Sequence, residues 1–359
     1  MNIIIAGGGT GGHLFPGIAI AEAFKEKDPN NKILFVSTGR PVELAILRKS
    51  GYFHSRITAE GIKGRGIWNQ IISLLKIPKG IIDSLLILKE FQCDLVVGVG
   101  SYSSGPVVMA AWLMGIRIAL HEQNILPGIT NRVLSCFADR IYVSFKNTVG
   151  LNQKKVLVTG NPVRKEIRNL SSSVPVPEHD NKGRVFTVLI SGGSQGAHAI
   201  NMRMIEALKH INEKERFFFI HQTGDQDIEA VKSAYKEHGI PCIVKPFFDD
   251  MASQYHQADL IICRAGATTV AEITAIGKPA IFIPFPFAAD NHQVLNAQSL
   301  ANEGAAEMIL QQELTGEILA RRIEYYASNP DSLKIMTEQA KKFGRPDAAE
   351  VIVKDCYKI

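Results

Sequence analysis

With 359 residues, 46% hydrophobic and 21% charged, the chain has an ordinary globular composition and the length of about two domains. Its five cysteines, Cys93, Cys136, Cys242, Cys263 and Cys356, include no C-x-x-C pair, which excludes a disulfide framework and a zinc site and points to a reducing compartment. The net charge of +5 is uneven, with 18 Lys and Arg against 10 Asp and Glu in residues 1–163; the cations are dispersed and aromatics are only 8%, which excludes a nucleic-acid-binding module and favours an anionic membrane surface as what the first half faces.

The chain enters an apolar strand at 2–6 without a basic n-region or cleavage site, so no secretory signal is expected. Gly7, Gly9 and Gly12 then satisfy G-x-G-x-x-G, which raises a dinucleotide oxidoreductase. The second strand, 32–37, ends in VSTGR, with Ser37, Thr38 and Arg40 where a ribose-binding acid is needed. That disfavours NAD and leaves NADP through Arg40. Residues 61–91 combine Trp68, Ile71, Ile72, Leu75 and other apolar side chains with Lys63, Arg65, Lys76 and Lys79, interrupted by Pro78 and Gly80. This predicts a membrane-lying segment over 68–79, with 85–88 buried. Further strands are predicted at 93–100, 117–123, 140–144 and 155–160. The apolar run 107–120 is broken by Gly115 and Arg117 and reads as a buried helix followed by a strand, not a membrane span.

A Ser- and Pro-rich stretch, 168–184, reads as a linker, after which the strand series restarts at 186–193, 216–224, 242–247, 259–266 and 279–286. The two halves open alike: NIIIAGGGTGGH and VFTVLISGGSQGAH each pass from a strand through a glycine turn to a histidine. Alternating strands and helices in two such halves predict two Rossmann-like α/β domains facing a ligand cleft. RAGATTVAEI, 264–273, predicts a helix capped by Thr268 and Thr269 whose N-terminus holds a diphosphate, with Glu272 in its first turn placed for ribose hydroxyls. Ser194 in SGGSQGAH marks a second phosphate cradle. DQD, 225–227, matches the D-x-D of metal-dependent sugar transferases but reads better as an exposed acidic loop, and no P-loop motif occurs.

Eight motifs occur in order: GGGTGGHLFPG, GSYSSGP, HEQN, GNPVR, GGSQGAHAIN, FFDDM, RAGATTVAEI and DNHQVLNA. Together, over nearly the whole chain, they resemble the MurG family of peptidoglycan-precursor UDP-N-acetylglucosamine transferases. That resemblance implies the GT-B architecture, with residues 1–163 plus about 346–359 as the acceptor and membrane-facing domain and 164–345 as the UDP-GlcNAc domain. It also implies a final helix returning to the N-terminal domain. The implied reaction moves GlcNAc, with inversion, to the C4 hydroxyl of MurNAc in undecaprenyl-pyrophosphoryl-MurNAc-pentapeptide, converting lipid I to lipid II at the cytoplasmic face of the membrane. No cofactor or resident metal is implied, and other cell-wall synthesis proteins are expected partners.

Carried over by motif, the donor contacts are Thr10, Gly11, Gly12, Asn124, Arg164, Ser194, the backbone of Phe248, Ala267, Thr268, Thr269, Val270, Ala271, Glu272 and Gln293. His13 is the candidate base, with binding of the acceptor pyrophosphate as its other reading, and Glu122 is the competing base. Another UDP-sugar enzyme of the same architecture, either a diacylglycerol glycosyltransferase or a UDP-GlcNAc epimerase, is the nearest alternative.

Overall fold

In the computed structural model the chain forms two units, residues 1–165 with 347–359, and residues 166–346. The structure describes residues 1–9, 11–61, 67–171, 185–193 and 195–359, with backbone alone for 67–72, 74 and 171. Thr10, Ser194 and most of the predicted linker, 172–184, lie outside the described residues, as do Lys63 and Arg65.

In chain order the first unit comprises β1 (Asn2–Ala6), α1 (Gly11–Lys27), β2 (Lys32–Ser37), α2 (Pro41–Lys49), β3 (Phe53–Arg56) and α3 (Ile67–Glu90). It continues through β4 (Leu95–Gly98), α4 (Ser104–Leu113), β5 (Arg117–Glu122), α5 (Ile129–Leu134), β6 (Arg140–Val143) and β7 (Val156–Val158), and α6 (Lys165–Ser171) follows. The seven strands are parallel, ordered β3-β2-β1-β4-β5-β6-β7. β1 pairs Ile3 with Ile33 on one side and with Leu95 on the other. Ile3, Ile4, Ile5 and Ala6 are fully buried, as expected where helices cover both faces of a parallel sheet.

The second unit repeats the design with β8 (Phe186–Ser191), α7 (His198–Ala207), β9 (Phe217–Gln222), α8 (Ile228–Glu237), β10 (Cys242–Lys245), α9 (Met251–Gln257) and β11 (Leu260–Cys263). It ends with α10 (Ala267–Ile276), β12 (Ala280–Phe282), α11 (His292–Ala301), β13 (Glu307–Met308), α12 (Gly316–Ser328) and α13 (Pro330–Phe343). Its parallel order is β10-β9-β8-β11-β12-β13. Both sheets are doubly wound, and in both the strand order reverses beside the first strand. Ligands of such sheets sit at that switch point, outside the carboxyl ends of the strands. The switch points therefore fall at the loops after β1 and β4, and after β8 and β11.

The final helix, α14 (Ala348–Cys356), belongs to the first unit. It buries Ala349, Ile352, Val353 and Cys356 in one cluster with Leu14, Ile18, Ala21 and Phe24 of α1. Tyr142 donates to Asp355 at 3.2 Å, and Arg140 approaches the same carboxylate at 2.9 Å.

Two strands escape the sequence reading, β3 and β13. β3 is a four-residue edge strand, FHSR, with no apolar alternation, and β13 is two residues long. α3 also corrects an expectation, because it runs unbroken through Pro78 and Gly80. Gly80 packs on the Thr58 carbonyl, where a Cβ would sit 2.3 Å from the oxygen, and Ser84 Oγ donates to the Gly80 carbonyl at 2.7 Å. Leu88 is buried as predicted, but Leu86 is 64% exposed and shares a helical face with exposed Leu75 and Ile82. No described helix is long and apolar enough to cross a membrane.

Candidate active site

The glycine turn after β1 is shaped by a buried carboxylate that sequence reading missed. Glu43, on α2, is 2% exposed. Its Oε1 accepts the Gly9 N–H, and its Oε2 accepts the Ser37 hydroxyl at 2.6 Å and the Arg40 N–H at 3.0 Å. A side chain at Gly8 would place Cβ 2.6 Å from Glu43 Oε1, so the turn is bare because a carboxylate lies beneath it. The missing strand-end acid of the dinucleotide reading is thus present six residues later, but it faces the turn's own backbone. Only the spacing of Ser37 and Glu43 could have signalled it.

His13 stands in the first turn of α1. Its Nδ1 lies 3.1 Å from the Val99 carbonyl and 3.0 Å from Gln123 Oε1. Gln123 Nε2 in turn donates to the same carbonyl at 2.8 Å and faces His121 Nδ1 at 3.0 Å, while His121 Nε2 lies 3.4 Å from the Gly160 carbonyl. One proton arrangement satisfies all of these contacts. His121 carries its hydrogen on Nε2, Gln123 gives its amide hydrogens to Val99 and His121, and His13 carries its hydrogen on Nδ1. The lone pair of His13 is then on Nε2, the atom a base must use.

Glu122, the competing base, has both oxygens committed. Oε1 accepts from the Asn124 N–H at 3.0 Å, and Oε2 accepts from the Gly128 N–H at 3.1 Å and Asn131 Nδ2 at 2.9 Å. At 2% exposure it braces the HEQN loop and places Asn124, whose own Nδ2 also reaches Glu122 at 3.4 Å. Arg164 stacks its guanidinium over Phe15 at 5.0 Å, and the Phe15 ring also covers Gly11, so the GNPVR end is held against the first turn of α1. Gly12 lies in that same turn.

In the second unit, the turn after β8 is clamped by Gln222. Gln222 Nε2 donates to the Gly193 carbonyl at 2.8 Å, and its Oε1 accepts the Phe248 N–H at 2.9 Å. The Phe248 N–H is thus engaged by Gln222, and the Phe248 ring is 5% exposed, with Lys245 Nζ 5.6 Å from its centroid. α10 also differs from expectation. Its N-cap is Gly266, which offers no side-chain acceptor, so Ala267, Thr268 and Thr269 are its first three residues. The first i→i−4 bond runs from the Val270 N–H to the Gly266 carbonyl at 2.9 Å, so the amide end of the helix dipole opens at the carboxyl edge of β11. Ala271 and Glu272 fall in the second turn. Glu272 is 3% exposed and accepts the Tyr255 hydroxyl at 3.2 Å. Gln293 Oε1 accepts the Phe285 N–H at 3.0 Å, fixing the loop before α11.

The DQD segment is only half exposed. Asp225 faces solvent, but Asp227 is 6% exposed and holds His198 Nδ1 at 2.9 Å and Asn201 Nδ2 at 2.7 Å. It ties α7 to the start of α8. Among the described residues no group of His, Cys, Asp and Glu is placed to hold a metal.

Two buried histidines give the fold an acid limit. Burial pushes His121 down to about 4, with His13 adding in the same direction and the Gly160 carbonyl opposing. Burial pushes His221 down to about 3, against the pull of Asp227. Unfolded, each titrates near 6.5. The unfolded chain therefore binds more protons below that pH, so stability is full above about 6.5 and falls as pH drops toward 4. Urea midpoints at about pH 7.5 and about pH 5 should differ, the lower pH giving the lower midpoint; equal midpoints contradict the assignment.

Comparison with known proteins fits this geometry. The glycosyltransferase family 28 N-terminal domain matches residues 3–143, and the family 28 C-terminal domain matches residues 187–352. The fold is GT-B and the chain is a member of glycosyltransferase family 28. A UDP-N-acetylglucosamine--N-acetylmuramyl-(pentapeptide) pyrophosphoryl-undecaprenol N-acetylglucosamine transferase of Syntrophus aciditrophicus is 48% identical over 99% of this chain and 98% of its own length. The protein of the same name from Geobacter metallireducens is 47% identical over 98% and 97%. The crystal structure of Acinetobacter baumannii MurG superposes with a TM-score of 0.81 at 31% identity, covering 100% of this chain and 99% of that one. Within family 28, the chain belongs to the MurG family of N-acetylglucosamine transferases. A Neisseria meningitidis UDP-GlcNAc 2-epimerase bound to UDP-GlcNAc shares the fold, with a TM-score of 0.70 over 100% of both chains, but only 14% of the sequence. The oxidoreductase and epimerase readings fall with the family assignment.

Proposed function

We infer that the chain transfers GlcNAc from UDP-GlcNAc to the C4 hydroxyl of MurNAc in undecaprenyl-pyrophosphoryl-MurNAc-pentapeptide, converting lipid I to lipid II. The observation that carries this reading is identity near one half over essentially the full length of transferases bearing that name. His13 Nε2 takes the C4 proton as that oxygen attacks the anomeric carbon from the face opposite UDP. The bond from that carbon to the phosphate oxygen breaks, its electron pair leaves with the diphosphate, and the new linkage is inverted. The leaving charge is held by the N-terminus of α10, from Ala267 to Val270. Glu272 is the candidate ribose contact and Gln293 a donor-side polar contact, while Asn124, Gly11 and Gly12 line the acceptor-side turn. Mixing the protein with UDP-GlcNAc and a short-chain lipid I analogue should release UDP only when the acceptor is present. Acceptor-independent release, or none, overturns the reading.

The protein works peripherally on the cytoplasmic leaflet in this reading. The apolar face of α3, Leu75, Ile82 and Leu86, flanked by Lys79, supports it. Trp68, Ile71 and Ile72 share that helix, with backbone alone described, and Lys76 pairs with Glu60. Replacing Leu75 and Ile82 together by Glu should weaken binding to anionic vesicles by tenfold or more, since each buried aliphatic side chain contributes roughly 1.5–3 kcal/mol. Turnover of a short-chain, water-soluble acceptor should persist; vesicle binding that does not change assigns the membrane contact elsewhere.

A further inference from the structure

A cavity of about 670 Å³ opens in the first unit, lined by Thr38, Arg56, Thr58, Glu60, Lys76, Lys79 and Asp83 among others. None of these residues enters the transfer chemistry above. Its walls are the carboxyl ends of β2 and β3 and one side of α3, so it lies on the same sheet edge as the glycine turn. β3 is two strands from β1, which at about 4.8 Å per strand puts the cavity roughly 10 Å along the edge from the turn that carries His13. Arg40 over the Tyr102 ring at 5.6 Å, and Gly61 packed against that ring, lie along the same edge.

The lining is asymmetric in charge. The two carboxylates have partners, because Glu60 pairs with Lys76 and Asp83 accepts the Thr58 N–H at 3.0 Å. Arg56 and Lys79 are exposed cations with no ion pair among the described residues. Thr38 Oγ1 is enclosed and has no hydrogen-bond partner. A ligand completing this cavity must bring an anion to Arg56 and Lys79. It must also tolerate two carboxylates, which suits a peptide with a carboxylate and amide N–H donors better than a bare phosphate.

We propose that this cavity is the subsite for the peptide of the acceptor, with Arg56 and Lys79 holding a peptide carboxylate. The proposal rests on the transferase reading. The peptide is carried on the lactyl group at C3 of the sugar, next to the C4 hydroxyl that His13 deprotonates. Five extended residues span up to about 17 Å, enough to cover the roughly 10 Å from the glycine turn to the cavity. The subsite would let the enzyme test the length and charge of the peptide before committing donor sugar.

Steady-state kinetics on two acceptors test this, a pentapeptide lipid I analogue and the same lipid with a dipeptide. Arg56→Ala should raise the pentapeptide KM by about tenfold, the usual weight of one charge-assisted hydrogen bond. The dipeptide KM, the donor KM and kcat should stay within about twofold, and Arg56→Lys should recover part of the loss. Equal rises for both acceptors assign the cavity to the sugar or pyrophosphate and overturn the proposal. So do unchanged kinetics, and so does a loss of binding to anionic vesicles without a change in the ratio of the two KM values, which marks a lipid headgroup site. A wild-type protein that glycosylates neither acceptor overturns the transferase reading itself.

Discussion

Replacing His13 by Ala should lower kcat by two to four orders of magnitude, the usual weight of a general base, and leave UDP-GlcNAc affinity within about twofold. The expectation rests on the hydrogen-bond chain behind the ring. Nδ1 faces two oxygen acceptors, the Val99 carbonyl and Gln123 Oε1, so the neutral ring keeps its lone pair on Nε2. The chain is anchored by buried His121, which stays neutral in the working range. Gln123→Leu should therefore cost kcat as well, by about tenfold, because His13 loses one of the two acceptors that fix its tautomer while remaining in place. Single-turnover rates together with equilibrium donor binding measure both effects. A His13→Ala protein that loses donor affinity in step with rate assigns the ring to binding, and a Gln123→Leu protein with full activity removes the tautomer argument.

The second large effect is on folding. Gly196 has φ +75°, and a Cβ built on it falls 1.9 Å from the Thr223 carbonyl oxygen, a backbone atom that cannot rotate away. Gly196→Ala should cost about 3 kcal/mol or more, combining left-handed strain with a clash that pushes the turn off the end of β9. For a unit of this size that is a fall of about 10 °C in Tm. Gly193, three residues earlier, has φ +88° and open space around its missing Cβ. Gly193→Ala pays only the backbone strain, about 1 kcal/mol, and should melt only a few degrees lower. Differential scanning calorimetry on the pair separates close approach from conformation. Equal losses would show that the turn relaxes around Gly196.

Most strands that were legible in the sequence are buried on both faces, and the exposed edge strands β7 and β10 were legible because VLV and CIVK are still runs of apolar, β-branched residues. NIIIA, KILFVS and FTVLIS form β1, β2 and β8 at the predicted limits or within two residues of them. β3 was invisible because FHSR has one apolar residue and neither a β-branched run nor an alternation to mark it. The glycine turns and His13 were legible because glycine and histidine announce local chemistry. What holds them was not, since Glu43, Gln123 and Gln222 act through contacts that only the closed sheet creates. Glu122 and Asp227 show the converse. Both looked like reactive or exposed acids, and both are buried anchors, because a carboxylate beside two or three amide donors is most useful bracing a loop.

The return of α14 to α1 sets an order of events during synthesis. Residues 166–346 form a contiguous stretch that can close its own sheet as soon as it leaves the ribosome, whereas the unit begun at residue 1 waits for residues 347–359. Until then the α1 surface around Ile18, Ala21 and Phe24 lacks its cover, and the apolar patch that α14 will hide is open to chaperones and to other nascent chains. The half made first is the half finished last, and truncation after residue 346 would leave it in that state permanently.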